Sequence, residues 1–94
     1  MYVRMVIGET TGEEQLQEFR MIYHDTFPII STEPGIKEAT MMTEDGGNMV
    51  IILTVWDSRE ACIRYHCSRT YRQFVAKTEH LIVGGFVVKL FRRQ

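Results

Sequence analysis

The most constraining stretch of the chain is Val50 to Trp56, VIILTVW, where Val50, Ile51, Ile52, Leu53 and Val55 form a nearly unbroken apolar run ending in the only tryptophan. Such a run reads as a strand covered on both faces. Helical patterns elsewhere can cover one face, but a chain of 94 residues has little left for the other. A second copy of the chain is the economical cover.

Composition narrows the reading further. With 45% hydrophobic and 24% charged residues, the chain fits one globular domain over residues 1–94, too short for two cores and too apolar for disorder. Eleven Lys and Arg against twelve Asp and Glu leave a formal charge of -1, with basic residues scattered until Arg92 and Arg93. No nucleic-acid surface is expected from that distribution. The start, Met1-Tyr2-Val3-Arg4, lacks the pattern of a secretion signal, and no apolar run approaches the ~18 residues of a membrane span. A cytoplasmic protein with no membrane partner is therefore expected. Cys62 and Cys67 lie about 140° apart around a predicted helix, so they read as free thiols.

In chain order, Tyr2 to Ile7 is a strand candidate in which Val3, Met5 and Ile7 share one face and Tyr2, Arg4 and Val6 the other, with Arg4 expected on the wetter side. Thr11-Gly12-Glu13-Glu14 has capping-box spacing and predicts a helix start. Leu16, Phe19, Tyr23, Thr26, Phe27 and Ile30 then form an apolar stripe for a sheet, with Pro28 expected to weaken or kink the last turn. Ile36 to Thr43 and Met49 to Trp56 read as antiparallel strands joined by a polar Gly-rich turn.

Asp57 or Ser58 can cap a short helix, and Ser68 a further one after a break near His66 and Cys67. The second of these helices repeats an apolar stripe, Tyr71, Phe74, Val75, Thr78, Leu81 and Ile82, up to Gly84-Gly85. Phe86 to Phe91 is the last strand. The order strand, helix, strand, strand, helices, strand is an α+β ferredoxin-like plait with an antiparallel sheet. Apolar residues at both strand parities would leave a large exposed patch on a single copy, so a homodimer pairing two sheets as an α/β-barrel is expected.

Ile52-Leu53-Thr54-Val55-Trp56-Asp57-Ser58-Arg59-Glu60-Ala61, then His66-Cys67-Ser68 and Tyr71-Arg72-Gln73-Phe74, resembles the antibiotic biosynthesis monooxygenase domain. The first helix and the Pro34-Gly35 turn also fit, so the resemblance spans nearly the whole chain. It implies the dimeric α/β-barrel and a pocket between sheet and helices. There, cofactor-independent members of the family bind a phenol anion and steer its reaction with oxygen. Trp56 matches their strand-end tryptophan, whereas Ile52 stands where those enzymes can carry an asparagine and the tyrosine near Cys62 is not kept. Members that degrade haem combine a first-strand asparagine, a second tryptophan and a ligating histidine. Here Asn48 lies in a turn, Tyr65 stands near the second tryptophan and Val75 near the histidine, which argues against haem degradation.

The reading that follows is a monooxygenase acting on a small phenol or hydroquinone. Trp56, Tyr65, Tyr23 and Tyr71 would form the pocket, and His66 or His24 would assist deprotonation. Each residue also has a structural reading. Trp56, Tyr65, Tyr71 and Phe74 suit a core, His66 can cap a helix end, and His24 and His80 suit solvated positions. No metal or nucleotide cofactor is expected. The histidines lack metal-ligand spacing, and Gly46-Gly47 and Gly84-Gly85 serve turns without opening a helix. The alternative functions are a non-catalytic module that binds a small aromatic ligand, and a purely structural dimer domain.

Overall fold

Four antiparallel strands in the order β2-β3-β1-β4 form the sheet of the computed structural model, which describes residues 1–94. The elements run β1 (Tyr2–Glu9), α1 (Glu13–Ile30), β2 (Ile36–Thr43), β3 (Met49–Trp56), α2 (Arg59–His66), α3 (Arg69–Thr78), a 3-10 turn (Glu79–Leu81) and β4 (Val87–Arg92). This is the ferredoxin-like α+β plait that the sequence predicts. Its sheet is open, with β2 and β4 as edges, so one chain does not close a barrel.

Register decides which side chains meet the helices. Tyr2, Arg4, Val6 and Gly8 of β1 pair with Trp56, Thr54, Ile52 and Val50 of β3. Val6, Val50, Ile52 and Trp56 of that face join Phe19, Tyr23, Tyr65, Tyr71, Phe74 and Leu81 in the core. On the opposite face, Val3, Met5, Ile7, Ile51 and Leu53 are only half-buried. The apolar run of β3 thus has one face sealed by helices and one left open.

Three local expectations are corrected, those at Arg4, at Thr11 and beyond Thr78. Arg4 was expected on the wetter side of β1, yet it is 1% exposed beneath α2 and α3, because the pairing with Thr54 places it on the helix face. The capping box at Thr11 does not form. Thr10 bridges to Ile82 and Thr11 N–H donates to the Leu81 carbonyl at 3.1 Å, which leaves Gly12 as the cap with no side-chain bond. Helix α1 runs through Pro28 to Ile30, where Ser31 N–H donates to the Phe27 carbonyl at 2.9 Å and closes the last turn. The stripe expected to continue helically to Ile82 tightens into the 3-10 turn after Thr78, and Ile82 is already extended.

Candidate functional site

Arg4 is the residue around which the site is built. Its buried guanidinium has no carboxylate within ion-pair distance; the chain's side-chain ion pair, His80 to Glu18 at 3.9 Å, lies at the exposed surface. A desolvated cation needs compensation, and here aromatic rings and an imidazole supply it. Arg4 Cζ lies 4.1 Å from the Tyr71 ring centroid and 5.4 Å from that of Tyr65. Arg4 Nη2 and Nε approach His66 Nδ1 at 3.0 and 3.3 Å.

That contact fixes the state of His66. Arginine has only donors, so Nδ1 accepts, and a neutral His66 then carries its proton on Nε2. Nε2 has no protein partner in the structure. Burial lowers the His66 pKa, and the Arg4 charge lowers it further. His66 is thereby held neutral with a free N–H donor.

Two serines bring the rings together. Ser58 opens α2 by accepting from Ala61 N–H at 3.1 Å, and Ser68 opens α3 by accepting from Tyr71 N–H at 3.2 Å. With only Cys67 and Ser68 between the helices, His66 ends α2 directly against Tyr71 in the first turn of α3, their rings stacked at 5.5 Å. Tyr71 meets Tyr65 at 5.8 Å, and Tyr65 stacks on Trp56 at 5.2 Å. The result is a continuous aromatic column from the core to His66. At its inner end Trp56 is fully buried, and its Nε1–H donates to Thr54 Oγ1 at 2.9 Å. Burial pushes the Tyr65 hydroxyl up to about 12 against the opposing pull of Arg4, and also raises the Cys62 thiol. A thiol kept protonated in this way is a poor nucleophile.

His66 and Tyr71 open onto a cavity of about 360 Å³, whose other walls are Arg72 and Val75 of α3, Phe86 before β4, and Val88. Phe86 reaches its place because Gly8 has no side chain. A Cβ there would stand 3.0 Å from Phe86 Cδ1. No acidic residue lines this cavity.

The residues expected from the sequence divide between two places. Trp56, Tyr65, Tyr71 and His66 share the column, although Trp56 and Tyr65 line neither of the cavities that hold the other candidates. His24 and Tyr23 instead face a separate cavity of about 410 Å³ between α1 and β2, beside Arg20 and Phe27. The Tyr23 hydroxyl is the one buried side-chain polar atom without a hydrogen-bond partner, and burial raises its pKa. The two histidines therefore do not converge.

Sequence reasoning missed Arg4, Arg72 and Phe86 as members of the site. A signal for Arg4 was present: it is the one charge within the strand Tyr2 to Ile7, and Thr54 is the one hydroxyl inside VIILTVW. Two such residues facing each other across a register mark a buried polar site.

The sequence model of antibiotic biosynthesis monooxygenases matches residues 3–77. No curated protein matches the chain by sequence. Solved structures share its fold at low identity. SnoaB from Streptomyces nogalater, a cofactor-independent oxygenase, is 18% identical with a TM-score of 0.83, the match covering 99% of this chain and 92% of SnoaB. The monooxygenase ActVA-Orf6 of Streptomyces coelicolor, in complex with nanaomycin D, is 15% identical with a TM-score of 0.86 over 99% and 87% of the two chains. A conserved protein from Methanosarcina mazei is 14% identical with a TM-score of 0.86 over 100% and 94%.

Proposed function

Because the chain belongs to the antibiotic biosynthesis monooxygenase family, we propose that it is a cofactor-independent monooxygenase that oxidises a small phenol or hydroquinone in the cavity beside His66 and Tyr71. The observation that carries this reading is the Arg4–His66 contact at 3.0 Å. It joins a buried positive charge to a neutral imidazole with a free N–H on an apolar, aromatic cavity. The similarity to a cofactor-independent oxygenase and to a monooxygenase crystallised with nanaomycin D supports the same reaction class.

The chemistry balances without an added reductant. A phenol with a free para position plus O2 gives a para-quinone plus water. The ring supplies four electrons, one oxygen atom enters the ring, and the other leaves in water. The phenol first ionises to water at the cavity mouth, and a proton from water later completes the hydroperoxide. The phenolate passes one electron to O2, the resulting superoxide and phenoxyl radical join at the para carbon, and loss of water from the hydroperoxide gives the quinone. Arg4 favours the phenolate and the superoxide through its charge. His66 donates through Nε2–H to the anionic oxygen, and so acts as a donor in place of the base expected from the sequence. Trp56 and Tyr65 hold Arg4 and Tyr71 from behind. Tyr23 and His24 take no part.

Oxygen uptake with a panel of phenols and hydroquinones tests this reading. With a phenol whose para position is free, one quinone and no hydrogen peroxide should form per O2 consumed, and His66→Phe should lower turnover by roughly 100-fold, as expected for removing one donor from an oxyanion. Saturable binding without oxygen uptake across the panel would overturn the catalytic reading in favour of a ligand-binding module.

Members of this family are commonly dimers, and we also propose that two copies of this chain pair through the open sheet face. Its half-buried Val3, Met5, Ile7, Ile51 and Leu53 support that pairing.

A further inference from the structure

We propose that the ligand of the His66 cavity is an aromatic acid, with its carboxylate on Arg72 and its hydroxyl at His66 Nε2–H; this rests on the assignment of that cavity as the substrate site. Charge is the first reason. Arg72 lies on the cavity wall, it is exposed, and it makes no ion pair with any carboxylate of the chain. Arg4 adds a second guanidinium behind His66, and no Asp or Glu lines the space. Two cations and no anion leave a cavity that lowers the energy of a bound anion and rejects a cation.

Shape and size give the rest. The apolar walls come from Tyr71 and Phe86, which are rings, and from Val75 and Val88. A flat ring between them meets aromatic faces and edges. The volume of about 360 Å³ stands near the lower end of the ~300–1,000 Å³ usual for ligand cavities. One or two fused rings fit within that volume. Arg72 and His66 come from successive helices and both line the cavity, so one ligand can meet both. An arginine fork matches a carboxylate with two parallel N–H bonds, which is why the acid is favoured over a neutral amide or alcohol.

The test uses 2-naphthoate and its neutral counterpart 2-naphthylmethanol, neither of which is a phenol, with binding followed by calorimetry. The naphthoate should bind at least 10-fold tighter at low salt. Most of that gap should vanish at about 0.5 M salt, because Arg72 is exposed and open to screening. Arg72→Gln should remove most of the gap and Arg72→Lys should restore part of it, with the fold unaffected at this exposed position. Equal affinities, or a gap that Arg72→Gln leaves undiminished, overturns the proposal, as does no binding of either probe. Oxygen uptake separates the two claims. Naphthoate binding with no phenol turnover sinks the oxygenase reading alone, whereas turnover with no preference for carboxylate-bearing phenols sinks this one.

Discussion

Arg4 Nη2 lies 3.0 Å from His66 Nδ1 with no carboxylate beside either residue, so a buried cation leans on a neutral imidazole and two tyrosine faces. Desolvation of a guanidinium costs several kcal/mol, and such partners return only part of it. Arg4→Met, which keeps the volume and removes the charge, is therefore expected to leave the melting temperature unchanged or raise it. The same variant should raise the His66 pKa, since one of its two lowering influences is gone, while burial keeps it below the ordinary histidine value. Heteronuclear NMR titration of the imidazole reads this directly. An unchanged His66 titration would show that the charge does not reach the ring.

Acid should destabilise the protein through the same pair. His66 titrates lower in the folded chain than the ~6.5 of an unfolded one, so between those two values the unfolded state binds more protons. Stability is then complete above about pH 6.5 and falls as pH drops toward the folded value, below which this contribution stops changing. Urea midpoints measured from pH 7.5 to pH 5 should show the slope. His66→Phe should flatten it.

Much of the fold was legible because strand parity and serine caps are local signals. Ser58 and Ser68 cap where the sequence says, and Gly84 and Gly85, both at positive φ, follow the 3-10 turn. The site was less legible. His66, Tyr71, Tyr65 and Trp56 could be named from sequence, but Arg4 lies 62 residues from His66, and only the pairing of β1 with β3 turns it inward. The separation of His24 from His66 likewise depends on α1 lying over β2, a tertiary fact that no spacing in the sequence encodes. Thr11 failed as a cap because the bridge from Thr10 to Ile82 had already fixed the chain entering α1.

Thr54 is predicted to matter beyond its size. Its hydroxyl accepts the Trp56 indole N–H at 2.9 Å in a fully buried setting. Thr54→Val keeps the shape but orphans that donor, at a cost of about 1–3 kcal/mol. Thr54→Ser keeps the acceptor and loses one methyl, about 1 kcal/mol. Chemical denaturation should rank the two in that order. Tryptophan emission should shift in the valine variant alone, since Trp56 is the only tryptophan.

The open face of the sheet gives the last prediction. Leu53 stands near its middle, flanked by Met5 on β1 and Thr40 on β2, with Ile51 and Val3 nearby and the exposed Val87 and Phe91 on β4. A stable pair buries ~800 Å² on each partner, and at ~25 cal/mol per Å² the apolar part of such an area suffices to offset the entropy of association. Lysine at this position would meet the partner sheet with an unpaired charge, but on a lone chain its stem can lie along the half-buried face and reach water. Leu53→Lys is accordingly expected to yield a folded monomer, with native circular dichroism and the mass of one chain in sedimentation equilibrium. The natural chain should sediment as two copies at about 10 µM, a concentration at which a 1 µM dimer is mostly assembled. A natural chain that stays monomeric there removes the dimer and would leave one face of the apolar run of β3 in water.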